Sequence, residues 1–241
     1  MTDLKVLIAA AGTGSRAGLP YPKTLFPIQG EPILVRILNL MREIDPCPTV
    51  VVSPAGRDQV AECLAAQGLS AHLVLQPEPL GMGDAVLRFR DSPAFPTARH
   101  LLLIWGDIPM VQPETVRALV QAHREHGNDF TLVTKLVDTA YTVVRRDAEG
   151  TITEVIETRE AGLESGPGER DIGLFLMRAA PVLDLLPREL PGKFGKKTGE
   201  HGFLYLIGHL SRLGFKVEGL PVAHDLDLVS LNSLKDIQAY L

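Results

Sequence analysis

The sequence predicts an α/β fold with a mixed, mostly parallel sheet, helices on both faces and a small antiparallel excursion. Apolar runs of strand length alternate with segments of helical period through the first half of the chain. Those runs are apolar along their whole length, which is typical of parallel strands covered on both faces. The second half carries strands joined by turn signals, notably Asp147-Ala148-Glu149-Gly150, which favour antiparallel pairing.

The individual elements follow in order from the same patterns. In the first half, strands are predicted at Leu4–Ala9, Thr49–Ser53, His72–Gln76 and His100–Trp105. They alternate with helices predicted at Pro32–Ile44, Asp58–Gln67, Met82–Phe89 and Pro113–Glu125. In the second half, strands are predicted at Phe130–Val137, Tyr141–Arg145 and Thr151–Ile156, and helices at Glu200–Leu213 and Leu231–Tyr240. Long polar loops are predicted at Glu160–Arg170 and Arg188–Gly199, and loops of this length are often functional.

Composition excludes several classes of protein. The net charge is −5 with acidic and basic residues interleaved, so no broad basic surface for nucleic acid is expected. Cys47 and Cys63 do not form a C-x-x-C pair, and we expect idle thiols in a reducing, cytoplasmic compartment. The apolar run near the N-terminus is too short to span a bilayer and lacks a basic region before it. It therefore predicts a first strand rather than a signal peptide, and no membrane association.

A glycine-containing loop, Ala10-Ala11-Gly12-Thr13-Gly14-Ser15-Arg16-Ala17, directly follows the first predicted strand. Small residues there let backbone N–H groups approach a bound anion closely, although a tight turn without a ligand is an alternative. Gly12-x-Gly14-x-x-Ala17 also fits a dinucleotide fingerprint. That fingerprint requires an acidic residue at the end of the second strand, where this chain has Ser53-Pro54-Ala55-Gly56. The sequence therefore favours a nicotinamide dehydrogenase less than another kind of phosphate-binding protein. It also contains no P-loop motif.

Two cations follow within reach of the same anion site. Arg16 lies in the glycine loop, and Pro22 restricts the backbone that presents Lys23. These residues resemble the signature of the sugar-phosphate nucleotidyltransferases: a strand, then Ala-Ala-Gly-x-Gly-x-Arg, then Pro-Lys. The similarity is greatest to the N-terminal uridylyltransferase domain of the bacterial bifunctional N-acetylglucosamine-1-phosphate enzymes, and it covers nearly the whole chain. It implies the Rossmann-like fold of nucleotide-diphospho-sugar transferases.

The resemblance also implies a division of one domain, residues 1–241, into two halves. Residues 1–128, approximately, would bind the nucleotide and residues 129–241 the acceptor. In the first half, contacts to the nucleotide would come from the glycine loop, from Lys23 and from the segment after the third strand. These residues are Ala10, Ala11, Gly12, Thr13, Gly14, Lys23, Gln76, Gly81 and Gly83. The Gln76 amide presents a donor and an acceptor together, which suits the edge of a pyrimidine base, uracil or cytosine.

A magnesium site is implied at the end of the fourth predicted strand. Asp107, in Trp-Gly-Asp-Ile-Pro, matches the metal-binding turn of the family, and its coordinating asparagine falls on Asn232. Mg²⁺ is usually held by few protein oxygens together with substrate phosphates, so this pair would suffice. Asp225 and Asp227 remain alternatives to Asn232, and Asp107 could instead cap the next helix.

The acceptor side matches the family less well. Glu157 corresponds to the glutamate that holds sugar hydroxyls, and Thr142 and Asp171 fall on two further acceptor positions. However, the family's Gly-Tyr-Gly and Asn-Thr-Gly become Ala-Tyr-Thr and Asp-Ile-Gly at these positions, and a threonine in the late helix becomes Leu204. A pocket with different polar groups selects a different ligand, so N-acetylglucosamine is not carried over as the acceptor.

The resemblance implies Mg²⁺-dependent transfer from UTP or CTP to a sugar phosphate or similar acceptor, releasing pyrophosphate for nucleotide-sugar biosynthesis. Arg16 and Lys23 would be the catalytic cations. One alternative is a cytidylyltransferase for a non-sugar phosphate or phosphonate, and another is a non-catalytic nucleotide-binding regulator of the same fold. No hexapeptide repeat follows, so we expect no acetyltransferase half. The oligomeric state stays open.

Overall fold

The computed structural model describes residues 3–12, 18–232 and 234–240. The strands are β1 (Leu4–Ala9), β2 (Pro27–Ile28), β3 (Glu31–Pro32), β4 (Thr49–Val52), β5 (His72–Leu75), β6 (His100–Trp105), β7 (Phe130–Ala140), β8 (Thr142–Arg146), β9 (Ile152–Glu157), β10 (Gly166–Arg178) and β11 (Val217–Leu220). The α-helices are α1 (Ile33–Met41), α2 (Arg57–Ala66), α3 (Met82–Leu87), α4 (Pro113–Glu125), α5 (Thr158–Ala161), α6 (Ala179–Leu185), α7 (Tyr205–Arg212) and α8 (Leu234–Ile237).

A seven-stranded sheet forms the centre of the molecule, in the order β11-β7-β10-β6-β1-β4-β5. β1 pairs in parallel with β4 and β6, β4 with β5, and β11 with β7. Only β10 runs against its neighbours in this sheet, since it is antiparallel to both β6 and β7. β8 and β9 form a separate antiparallel pair. The predicted mixed, mostly parallel sheet with a small antiparallel excursion is confirmed.

Both faces of the sheet are covered, which explains why its strands are apolar throughout. Within β1, Val6 and Ile8 pack into a core with α1, α2 and α4, whereas Leu7 packs into a second core with α3, α6 and α7. All three side chains are fully buried. Burial of each such aliphatic side chain stabilises the fold by about 1.5–3 kcal/mol.

One sequence-based prediction about the second half is wrong. The segment Glu160–Arg170 was expected to be a loop, but Gly166–Arg178 is a single strand, β10. Its polar first part pairs with β7 alone, past the end of β6, and its register shifts between Asp171 and Phe175. The polar half of this strand therefore lacked the apolar signal of a central strand. α6 and β11 were also not predicted; β11 is a short strand with no alternation to reveal it.

The carboxyl ends of β1, β4 and β6 meet at one edge of the sheet. Just beyond β1, the Ala10 N–H donates to the carbonyl oxygen of Val51 at 2.9 Å, and the Gly106 N–H donates to that of Ala9 at 2.9 Å. This is the edge at which open α/β sheets bind ligands. None of the helices in the described ranges is long and apolar enough to cross a membrane.

Candidate active site

Lys23 and Asp107 meet at this edge of the sheet. Asp107 follows β6 directly, and the Lys23 Nζ donates to its Oδ2. The two side chains are 25% and 14% exposed, so the pair is partly shielded from water yet open to a ligand. The sequence-based hypothesis required these two residues to share one cleft, and the structure brings them into contact.

The backbone before Lys23 is fixed by packing. A Cβ atom on Gly56 would lie only 2.5 Å from the Pro22 Cγ, so the glycine allows the Pro22 ring to pack against the turn after β4. A short 3₁₀ turn, Lys23–Leu25, begins immediately afterwards. The Lys23 chain then passes over Gly12, where a Cβ would lie 3.0 Å from the Lys23 Cε. Lys23 thus crosses the beginning of the glycine loop on its way to Asp107.

Only the first part of the glycine loop lies within the described chain. Ala10 is buried, Ala11 half-buried and Gly12 exposed, so the backbone emerges from the sheet into the cleft beside Lys23. Three predicted site residues, Thr13, Gly14 and Arg16, lie outside the described residues.

Asn232 lies next to Asp107 through a backbone contact. The N–H of Leu231 donates to the backbone oxygen of Asp107 at 2.8 Å. The exposed Asn232 side chain donates from Nδ2 to the Ser230 Oγ at 2.9 Å. Its Oδ1 makes no hydrogen bond to any described residue. A carboxylate and an amide oxygen from two distant segments are therefore placed at the same edge.

The two alternatives to Asn232 have other roles in the described chain. Asp227 is fully buried and accepts hydrogen bonds from the Gln112 N–H at 2.6 Å, the Thr115 hydroxyl at 2.6 Å and the His224 N–H at 2.7 Å. Asp225 is exposed and pairs with Lys135 at 2.7 Å. Among the described residues no group of three or more His, Cys, Asp or Glu could hold a metal ion.

Gln76 is held in one orientation at the end of β5. It is buried, and its Nε2 donates to the Gly81 carbonyl oxygen at 3.0 Å and to the Asp84 Oδ2 at 2.9 Å. Burial opposes ionisation of Asp84, but hydrogen bonds from Arg88 and Gln76 outweigh it, and the pKa of that carboxyl is lowered. The ionised Asp84 carboxylate accepts a hydrogen bond from the Gln76 amide nitrogen. The Gln76 amide oxygen has no hydrogen-bond donor within the described chain.

Gly81 and Gly83 pack against a distant segment. Gly81 has φ +105°, and a Cβ there would lie 2.5 Å from the His201 backbone oxygen. The His201 N–H donates to the Leu80 carbonyl oxygen at 2.6 Å, and the Gly83 N–H donates to that of His201 at 2.9 Å. The glycines therefore let the backbone around Gly81 form hydrogen bonds with the backbone at His201. This reason for glycine was not predicted from the sequence.

Glu157 lies at the end of β9 among other carboxylates. Its side chain is exposed, yet partial desolvation raises its pKa, and the nearby charges of Asp171, Glu160 and Glu200 raise it further. Of these neighbours, Glu160 also accepts the Lys197 N–H at 2.8 Å, so α5 is joined to the loop that precedes α7. Glu160 and Glu200 were not singled out from the sequence, because only the folded chain brings them near Glu157.

Thr142 and Asp171, both predicted to contact the acceptor, bond to each other. Both are buried, and the Thr142 hydroxyl donates to the Asp171 Oδ1 at 2.6 Å. The Asp171 Oδ2 accepts the Gly173 N–H at 2.9 Å. Burial raises the pKa of Asp171, against the opposing effect of these hydrogen bonds. As placed, the two residues join β8 to β10.

Arg170 and Tyr141 form a second contact beside them. The Arg170 Nε donates to the Asp171 backbone oxygen at 3.0 Å, its Nη2 donates to the Tyr141 hydroxyl, and its Cζ lies 3.8 Å from the centre of the tyrosine ring. Burial raises the pKa of Tyr141, and the charges of Asp171 and Asp107 raise it further, while Arg170 lowers it. Sequence inspection missed Arg170, which lies at the end of the wrongly predicted loop.

Comparison with known proteins connects this site to one family. A family model described as MobA-like NTP transferase domain matches residues 6–166. That range contains Lys23, Gln76, Asp107 and Glu157. The bifunctional protein GlmU of Leifsonia xyli subsp. xyli (strain CTCB07) is 30% identical over 228 residues, which cover 92% of this chain and 46% of that protein. The chain spans less than half the length of the curated relatives it matches.

Solved structures show the same fold. A UDP-glucose pyrophosphorylase complexed with UDP-glucose gives a TM-score of 0.70 at 15% identity, covering 99% of this chain and 98% of that chain. The inositol-1-phosphate CTP transferase from T. maritima gives a TM-score of 0.70 at 18% identity, covering 91% of this chain and 86% of that chain. At such low identity these matches show the fold alone.

Proposed function

We propose, from the premise that this chain belongs to the MobA-like NTP transferase domain family, that it transfers a nucleotidyl group from UTP or CTP to a phosphorylated small molecule and releases pyrophosphate. The observation that carries the proposal is the contact of Lys23 with Asp107 at the carboxyl edge of the sheet. A cation and an acidic residue at one ligand-binding edge suit a triphosphate and the ion that accompanies it.

In the proposed reaction, an oxygen of the acceptor phosphate attacks the α-phosphorus of the nucleotide in line with the leaving pyrophosphate. The attacking oxygen is already anionic, so no strong general base is required, and catalysis consists of positioning and charge neutralisation. Lys23 would neutralise charge that develops around the α-phosphate. The N–H groups of the glycine loop, from Gly12 to Gly14, and the Arg16 side chain would hold the β- and γ-phosphates.

The residues present suit Mg²⁺. The Asp107 carboxylate accepts from Lys23 through one oxygen only, and the amide oxygen of Asn232 makes no hydrogen bond in the described chain. Two oxygens from the protein, completed by phosphates and water, match the way this ion is usually bound. When bound, Mg²⁺ would supply charge neutralisation for the phosphates of both substrates. Asp107 and Asn232 would hold it.

The nucleoside and the acceptor would lie on opposite sides of Lys23 and Asp107. On the nucleotide side, the Gln76 amide oxygen is available to accept an N–H of the pyrimidine, because the amide nitrogen is held by Asp84 and Gly81. On the acceptor side, Glu157 would accept hydroxyl groups of a sugar phosphate or similar polyol phosphate. Thr142 and Asp171 would support that side by bonding to each other rather than by contacting the acceptor.

The test is release of pyrophosphate by the purified protein with Mg²⁺, each of the four nucleoside triphosphates and an acceptor panel. The panel contains glucose 1-phosphate, N-acetylglucosamine 1-phosphate and inositol 1-phosphate, each with its unphosphorylated counterpart. We expect turnover with UTP or CTP and a phosphorylated acceptor only. Triphosphate binding without turnover on a broad panel would instead indicate a regulator, and absence of triphosphate binding would refute the proposal.

A further inference from the structure

Arg170 is a buried cation whose charge is not matched by an ion pair. The residue is 8% exposed, and within the described chain no carboxylate oxygen lies within ion-pair distance of it, although its charge interacts with that of Asp171. The adjacent Asp171 interacts with this charge only at longer range, since its two oxygens accept from Thr142 and Gly173 and Arg170 bonds to its backbone oxygen. Burial of an unpaired charge is costly, so such a group in a native fold calls for an explanation.

The Arg170 guanidinium is held in one orientation and keeps an N–H group that bonds to no described residue. It lies against the Tyr141 ring, with Cζ 3.8 Å from the ring centre. Nε and Nη2 each donate to one partner, the Asp171 carbonyl oxygen and the Tyr141 hydroxyl. Nη1 donates to no described residue. A planar guanidinium fixed by stacking, with free N–H groups, has the geometry that binds phosphate oxygens in pairs.

The charge of Asp107 acts on this contact. Tyr141 is half-buried, and the Asp171 and Asp107 charges both act on its hydroxyl. Arg170 bonds to that same hydroxyl, and the charge of Asp171 also acts on Glu157. An acceptor whose hydroxyls reach Glu157 and whose phosphate reaches the nucleotide beside Asp107 would pass this guanidinium. Arg170 also lies beyond residues 6–166, which the family model matches.

We propose that Arg170, held against Tyr141, binds the phosphate or phosphonate group of the acceptor and so makes the site selective for phosphorylated acceptors over neutral polyols. The proposal rests on the proposed function and names the residue that recognises its acceptor. The free Nη1 hydrogens, together with the Tyr141-bound Nη2, donate to the phosphate oxygens. The bound phosphate in turn supplies the direct anionic partner that Arg170 lacks within the described chain.

The kinetic experiment compares wild type with Arg170→Gln, Arg170→Lys and Arg178→Gln. Arg178 lies at the other end of the same strand, where it is exposed and pairs with Asp129 at 2.9 Å, so it is the matched control. For Arg170→Gln we expect the KM for glucose 1-phosphate, or whichever panel member is turned over, to rise by about 10- to 100-fold, as for loss of a charged hydrogen bond. The KM for the triphosphate should stay within about 2-fold of wild type.

The Arg170→Lys variant and the control variant give further tests of whether Arg170 binds the acceptor phosphate. Arg170→Lys keeps the charge without the planar fork, so its acceptor KM should lie between those of wild type and Arg170→Gln. If Arg170→Gln does not fold, Arg170→Lys alone decides. An acceptor KM equal to wild type, or equal increases in both KM values, overturns the proposal. An acceptor KM raised as much by Arg178→Gln would also overturn it.

A binding measurement separates this inference from the proposed function. Calorimetric titration with glucose 1-phosphate and with glucose needs no turnover. We expect wild type to bind the phosphate ester more tightly than glucose, and Arg170→Lys to lose most of that difference. If the enzyme assay shows no transfer while this difference is seen, the proposed reaction fails and the anion site stands. Equal affinity of wild type and Arg170→Lys for glucose 1-phosphate overturns the site.

Discussion

Replacing Lys23 or Asp107 separately by alanine should abolish most activity and leave the fold nearly unchanged. The two side chains are 25% and 14% exposed, and a pair this accessible contributes only about 0–1 kcal/mol to stability. For a domain of this size, that corresponds to a change in Tm of less than about 4 °C. Removing one preorganised charge from a phosphoryl-type transition state costs far more, about 2.7–4 kcal/mol, or 10²- to 10³-fold in turnover.

The assay is pyrophosphate release at saturating triphosphate and acceptor, with Tm measured on the same preparations. Arg178→Ala is the control, because it removes a cation from an ion pair at the far end of β10, away from the cleft. We expect the control to keep wild-type turnover. Turnover of Lys23→Ala or Asp107→Ala within a few-fold of wild type would refute the role given to this pair. So would unfolding of both variants, because the pair would then be structural.

Three further predictions test the metal pair, the glycine contact and a buried histidine. Asn232→Ala should raise the Mg²⁺ concentration for half-maximal activity about 10-fold or more, whereas Asp225→Ala, which removes an exposed carboxylate paired with Lys135, should not. An equal effect of both would contradict the assignment. Gly81→Ala should lower the free energy of unfolding by about 1–3 kcal/mol more than Gly68→Ala, measured by urea denaturation. Both glycines have positive φ, but only at Gly81 would the new Cβ meet backbone; equal losses would disprove the close contact. Burial, followed by the charge of His100, lowers the pKa of His123 from 6.5 to about 4. As the pH falls below 6.5, His123 is therefore protonated in the unfolded chain before it is protonated in the folded chain. The stability that depends on neutral His123 is complete above pH 6.5 and is lost as the pH falls towards 4. Urea denaturation at pH 7 and at pH 4.5 should show a smaller loss in His123→Gln than in wild type, and an equal loss would exclude this origin.

The parallel part of the fold could be predicted because its physical causes are local in the sequence. β1 and β6 are fully apolar since both faces of the sheet are covered, and that pattern is visible without the structure. β10 was missed as a whole: its first part, Gly166–Asp171, pairs on one side only and carries polar residues, and its apolar second part was not singled out as a strand. Whether such a polar segment is a loop or a strand depends on β7, which is distant in sequence.

The candidate site also contains residues with a local sequence signal and residues that only tertiary packing brings to it. That Lys23 and Asp107 lie together could be predicted because each is part of a recognisable local feature, a Pro-Lys turn and the end of an apolar strand. Gly81 was found for a different reason from the one the structure gives, since its bond to the segment around His201 depends on tertiary packing. Arg170 and Glu200 could not be found, because their positions depend on the pairing of β10 and on the loop that precedes α7.

The most direct measurement of the central claim is a crystal structure with Mg²⁺ and a non-hydrolysable UTP or CTP analogue. In the structure, Lys23 bonds to Asp107. With ligand, we predict that the Lys23 Nζ contacts an oxygen of the α-phosphate and that Mg²⁺ joins the phosphates to Asp107 and Asn232. A nucleotide bound elsewhere, with Lys23 still paired to Asp107, would contradict the account.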